Sequence, residues 1–117
     1  MSIGVSVETN REFLFVSLTG ELDQMTAPQV KIRLMTTLAA HDVRHIVFNL
    51  KNLSFMDSSG IGVILGRYNQ VKDIGGKVFV LGMNPTVNKV FHMAGLSQII
   101  TIIDDEQQIL NLFEEAI

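Results

Sequence analysis

The chain has no cysteine, which removes disulfides, thiolate metal sites and cysteine nucleophiles at once. It has no excess of positive charge either. Nine basic residues against twelve acidic ones leave a net charge of −3, and the basic residues are scattered. Surfaces that bind phosphate backbones carry a basic patch, so nucleic acid is not expected as a partner. No apolar run approaches the ~18 residues of a membrane span. Met1 to Ser6 set no basic residue ahead of the apolar positions, so no signal peptide is expected. These absences predict a cytoplasmic protein with no membrane partner. Charged residues are also sparse, at 18%, while 47% of residues are hydrophobic, which excludes disorder over any long stretch. Residues 1–117 are expected to form one domain with a core that needs no staples.

What is present is an alternation of strand and helix signals. Ile3, Val5 and Val7 alternate with small or polar residues, and Phe13–Leu18 reads as a second strand after a hairpin turn over Glu8–Glu12. Thr19–Asp23 breaks the pattern. From Thr26 to Ala40, Val30, Leu34 and Leu38 recur four apart, as one helix face requires, with Thr26 as cap and Pro28 in the first turn. His45–Leu50 is apolar on both faces and is expected at the centre of a sheet. A second helix is expected from Ser59 to Ile74, ended by Gly75-Gly76, and then a strand over Lys77–Leu81. Pro85 opens a third helix to Met93, closed by Gly95. Ile99–Ile103 is a last strand, and Asp104 or Asp105 caps a terminal helix holding Ile109, Leu112 and Phe113. The order predicts an α/β fold: a mixed, mainly parallel sheet, an antiparallel amino-terminal hairpin and about four helices.

The segment that carries chemistry is Phe55-Met56-Asp57-Ser58-Ser59-Gly60-Ile61-Gly62, where a strand runs into a helix. Small hydroxyls there meet the helix's unpaired first amides, and the terminus favours anions. Spacing alone leaves Ser58 as either a cap or a modified serine. Gly60, Gly62 and Gly66 fit neither the dinucleotide fingerprint nor the phosphate-cradling loop. On the helix they admit another backbone, from within the fold or from a partner, and spacing leaves both readings open. The Gly-x-Ser-x-Gly elbow of hydrolases is missing, and nothing places His92 and Asp23 in a triad with Ser58. No enzymatic activity is expected. His41 and His45 are four apart, but they straddle a helix end and a strand start without a third ligand, so surface histidines and no metal are expected. Gly20-Glu21-Leu22-Asp23 is a second polar cluster, either a turn with a helix cap or a rim beside the Ser58 loop.

These residues resemble the bacterial anti-sigma factor antagonists, single-domain proteins of the STAS fold, and most of all those of the sporulation sigma-F pathway. The resemblance spans essentially the whole length. It rests on Leu18-Thr19-Gly20-Glu21-Leu22-Asp23, Arg44-His45-Ile46-Val47, the Leu53–Gly60 run with its Asp-Ser-Ser-Gly, Gly62–Tyr68, Gly75-Gly76 and Phe91-x-Met93-x-Gly95-Leu96. It implies that Ser58 is phosphorylated by the partner, an anti-sigma factor that is also an ATP-dependent serine kinase. The unmodified form binds that kinase and frees its sigma factor; a serine phosphatase of the PP2C type restores it. Glu21, Asp23, Ser59, Gly60 and Gly62 are implied as the docking surface. Asp57 orients the loop within it, and Arg67, seven residues after Gly60, adds to the same face. No cofactor is implied. Members usually carry two histidines where this chain has Gln24 and Met25. The alternative within the fold is an antagonist or scaffold in a general-stress sigma-factor pathway. From other classes, the alternatives are a small enzyme with Ser58 as nucleophile and a nucleotide-binding module.

Overall fold

Alternating apolar residues build a hairpin at the amino terminus, β1 (Ile3–Asn10) antiparallel to β2 (Phe13–Leu22). The computed structural model describes residues 2–114, with side chains described through residue 111. The hairpin turn is tighter than the polar run Glu8–Glu12 suggested. Only Arg11 and Glu12 lie between the strands, with Arg11 at φ 55°. Glu8 and Thr9 remain in the ladder, and their polarity marks solvent exposure on an edge strand.

A second correction falls on Thr19–Asp23. β2 does not break there; it continues through Gly20 and Glu21 to Leu22, with register irregularities between Ser17 and Thr19 and between Gly20 and Glu21. A bulge disturbs the apolar alternation without ending the strand, so the segment reads as a turn in sequence. At Gly20 the backbone takes φ 111°, and a Cβ there would stand 2.5 Å from the Ser2 carbonyl oxygen.

The helix α1 (Ala27–Ala40) follows. Next comes β3 (His45–Met56), which is twice the expected length because its exposed second half lacks a continuous apolar signal. Helix α2 spans Ser58–Lys72, β4 Val78–Leu81 and α3 Pro85–Met93. Asn84 caps α3, accepting the Val87 N–H at 2.8 Å. The last strand β5 is only Thr101–Ile102, because Leu96–Gln98 turn as a 3₁₀ helix. Helix α4 is Gln107–Glu114. Asp105 Oδ1 accepts from Gln108 N–H at 3.2 Å, while Gln108 Oε1 accepts from Asp104 N–H at 2.6 Å. Of the three apolar residues expected on this helix, Ile109 is buried. The side chains of Leu112 and Phe113 lie outside the described residues.

The sheet order is β1-β2-β3-β4-β5, with every pairing after the hairpin parallel. β3 is central, as its two-sided apolar pattern predicts. Ile46, Phe48 and Leu50 join Val30 and Leu34 of α1, Ile64 and Val71 of α2, and Phe91 of α3 in the main core. Val47 faces the other way, into a smaller cluster with Phe79, Leu81 and Ile109. Three helices thus cover one face and α4 the other. Parallel strands deliver their carboxyl ends to one edge, which is where β2 and β3 hand over to α1 and α2.

Candidate functional site

The handover brings two aspartates side by side. Leu22 pairs in register with Met56, and the Asp57 N–H donates to the Leu22 carbonyl at 3.2 Å. Asp23 and Asp57 therefore leave adjacent strands at the same edge, so the two polar clusters of the sequence form one rim.

Asp57 is the N-cap of α2. Its backbone is extended (φ −113°, ψ −167°), and its Oδ1 accepts the Ser59 N–H at 2.8 Å. Ser58 is the first residue inside the helix and not its cap, one position away from the reading that spacing favoured. Both residue types suit a cap, and only backbone direction separates them. Ser58 is exposed, and its hydroxyl makes no hydrogen bond among the described residues. The Ser59 amide, one of the first amides of the helix, is already held by the Asp57 carboxylate.

Asp23 is drawn inward. It is 7% exposed, and its Oδ1 accepts from the Met25 N–H at 2.9 Å and the Thr26 N–H at 3.0 Å. Thr26 sits at the N-cap position of α1 but does not cap it with its side chain. Its hydroxyl accepts from the Asp23 N–H at 2.9 Å and donates to the Glu21 carbonyl at 2.7 Å. The Thr26 N–H above all, with Met25 N–H and the Thr26 hydroxyl, holds the Asp23 carboxyl below its ordinary pKa, against an opposing effect of burial. The cover over Asp23 is its own loop, not the core. Asp23 thus organises the turn through its Oδ1.

What the rim does present is different. Met25 is 81% exposed and Phe55 40%, with Glu21 half-buried and paired in register with Phe55. Sequence reasoning marked Met25 only as a departure from a histidine. The signal for its exposure was an apolar residue inside a polar turn, outside any periodicity.

The glycines divide between the two readings. Gly60 faces inward, where a Cβ would stand 2.5 Å from Met56 Cγ and 2.8 Å from Leu22 Cγ. Gly62 and Gly66 face open space. Arg67 does share a face with Gly60, but that face is buried: Arg67 is 7% exposed and packs toward α1. Gly60 and Arg67 therefore do not belong to an exposed docking surface. The Arg67 Nε and Nη1 are shut off from solvent with no acceptor among the described residues. Burial lowers the guanidinium's pKa from its ordinary value.

His45 is not a surface histidine either. It is buried, its Nδ1 accepts the Lys77 N–H at 3.0 Å, and its ring lies 5.0 Å from that of Phe13. Burial lowers its pKa, helped by Arg44 and Lys77 and opposed by Glu12. His41 stands exposed at the end of α1.

Comparison with known proteins adds an independent line. The family model of the STAS domain matches residues 4–109. An anti-sigma F factor antagonist of Paenibacillus polymyxa is 41% identical over 114 residues, 97% of each chain. A solved structure of the anti-sigma factor antagonist SpoIIAA in its unphosphorylated form superposes with a TM-score of 0.81 at 34% identity, covering 93% of this chain and 96% of that one. The Bacillus cell fate determinant SpoIIAA in its phosphorylated form gives 0.74 at 33% identity, covering 93% of this chain and 99% of the other.

Proposed function

This chain belongs to the STAS domain family, and from that premise we propose that it is an anti-sigma factor antagonist of the sigma-F type, switched by phosphorylation of Ser58. The unmodified form docks on an anti-sigma factor that is also a serine kinase and displaces the sigma factor held there. Phosphorylation ends the docking, and a PP2C-type serine phosphatase reverses it. The relatives are regulatory antagonists, and one of them exists in phosphorylated and unphosphorylated forms. The chain is accordingly a substrate and a switch, acting without catalytic activity of its own.

The observation that carries this reading is the Ser58 hydroxyl. It is exposed, free of internal hydrogen bonds, and fixed at the first position of a helix tied to the end of β2. On the same rim lie the exposed Met25, two residues after Asp23, and the exposed Phe55, paired in register with the half-buried Glu21. Exposed apolar side chains on a rim that carries a small hydroxyl are suited to being covered by a partner. Gly62, one helical turn on, leaves room for the partner's backbone, and Ser59 lies between them.

The switch follows from charge. A phosphate adds roughly −1.5 to −2 at neutral pH. Because Asp57 already holds the Ser59 amide, the new dianion points outward, beside a carboxylate, into the surface that must be desolvated. Burying such a charge without a paired cation costs several kcal/mol. A penalty of about 4 kcal/mol weakens binding about a thousandfold. No refolding of either protein is needed.

Incubation with the cognate kinase and ATP, followed by phosphosite mapping, tests the assignment. Phosphate is expected on Ser58; phosphate on Ser59 with Ser58 unmodified sinks it. Ser58→Ala is expected to bind the kinase and resist phosphorylation, and Ser58→Asp to fold normally and bind poorly.

A further inference from the structure

The groove between α1 and α2 shares Ser59 and Gly62 with the proposed docking surface and runs on from it to Lys31 and Arg67, which the switch does not use. It is an open groove of about 490 Å³, a volume within the range of ~300–1,000 Å³ typical of small-molecule sites. Gln24 and Ser59 line it near the Ser58 end, Ala27 and Gly62 line its walls, and Lys31 and Arg67 complete it. The walls are small, so the cleft lies close to both helix backbones. Both charged residues that line it are cations, and no carboxylate among the described residues does so. The nearby acids Asp23 and Asp57 are turned to backbone amides.

Arg67 is the second and independent observation. The side chain is more than nine-tenths buried and lines this groove, while Nε and Nη1 meet no acceptor among the described residues. A buried cation without a counter-charge weakens a fold, and replacing such a group by an apolar one of similar volume is often stabilising. A guanidinium held in place by packing keeps a fixed positive charge at the groove wall, where it attracts a carboxylate or phosphate even though Nε and Nη1 face away from solvent. Lys31, on the exposed side of the same groove, adds a mobile second charge. At the other end the Gln24 amide and the Ser59 hydroxyl offer neutral hydrogen bonds.

We infer that the α1–α2 groove is a binding site for a small carboxylate- or phosphate-bearing molecule, with its anionic group on Arg67 and Lys31 and its polar end toward Gln24 and Ser59. This site does not depend on the phosphorylation of Ser58, and a ligand in it touches Ser59, next to the surface that the partner covers.

The test is a titration of the ¹⁵N-labelled full chain with inorganic phosphate and, separately, with succinate, against sodium chloride at matched ionic strength. Saturable shifts are expected at the amides of Ser59, Gly62 and Gly66 and at the Arg67 Nε–H, with either probe and not with chloride. Arg67→Met keeps most of the side chain's volume. It is expected to weaken binding by about tenfold or more while leaving the melting temperature unchanged or raised. Lys31→Gln, at an exposed position, is expected to weaken binding severalfold with the fold intact, and it decides the matter should Arg67→Met not fold. Absence of saturable shifts with both probes overturns the inference, as do shifts reproduced by chloride. Affinity unchanged by Lys31→Gln and Arg67→Met does so too, leaving Arg67 as a packing residue. An acidic side chain of the docked partner as the true occupant corresponds to no shift with free anions and a loss of partner affinity in Arg67→Met.

Discussion

Asp57 and Ser58 divide one helix terminus between them, the first satisfying its amides and the second facing solvent. Two residues capable of capping stand in sequence, and the one whose backbone is extended takes the role. Asp23 performs the parallel task for the turn before α1. Asp23→Ala is therefore expected to lower the melting temperature and to leave partner affinity nearly unchanged, measured by calorimetry on free and kinase-bound protein. Its folded pKa lies below the ordinary 3.8, so the unfolded chain takes up the proton first. The stability it supplies is complete above that value and is lost as pH falls through the folded pKa. The glycines give a sharper contrast. Gly60→Ala drives a methyl group into Met56 and Leu22 and should cost about 1–3 kcal/mol. Gly62→Ala meets nothing within 4 Å and should gain about 0.5–1 kcal/mol through helix propensity. Denaturant unfolding of the two variants reads both signs. Nothing in the spacing Gly60-x-Gly62 distinguishes them, because 100° of helical rotation per residue becomes inside or outside only once a neighbour is present.

At the scale of elements, β3 joins the two halves of the sheet, and His45 at its start ties it to the segment before β4. The imidazole accepts the Lys77 N–H, a task only the neutral ring performs at that nitrogen. Its folded pKa is depressed from the ordinary 6.5, so on acidification the unfolded state binds the proton first. Stability from this contact is full above pH 6.5 and declines as pH falls from there to the lowered folded value. Thermal melts from pH 7.5 to 4.5 should show that decline, and His45→Leu should flatten it. The same variant leaves the Lys77 N–H unpaired, costing about 1–3 kcal/mol at neutral pH. α2 illustrates how much of an element is legible. Its length follows from the apolar positions Val63, Ile64 and Val71, and Gly75 at φ 76° stands where a helix end was expected. Its groove toward α1 was invisible, since α1 lies about thirty residues earlier in the chain and contributes a third of the lining.

For the whole molecule, the proposed phosphorylation site at Ser58 lies outside both apolar layers. Ser58→Asp should therefore change unfolding free energy by no more than about 0.5 kcal/mol, with an unaltered circular dichroism spectrum, while kinase affinity collapses. A large loss of stability in that variant would place the switch in the fold instead of at its surface. Relatives solved with and without phosphate both retain this architecture.

The sequence by itself determined the element order, the central place of His45–Leu50 and the helices Thr26–Ala40 and Pro85–Met93. It also placed a helix start with a capping residue at Asp57-Ser58-Ser59, because local periodicity and turn residues encode these directly. The bulged end of β2 and the long exposed half of β3 escaped it, since neither carries an apolar rhythm. Only the tertiary structure decided that Asp23, Gly60 and Arg67 turn inward while Ser58, Met25 and Gly62 turn outward. The reason is physical: a residue's type sets what it can do, but register across β2 and β3 and the packing of α1 on α2 set which way it faces.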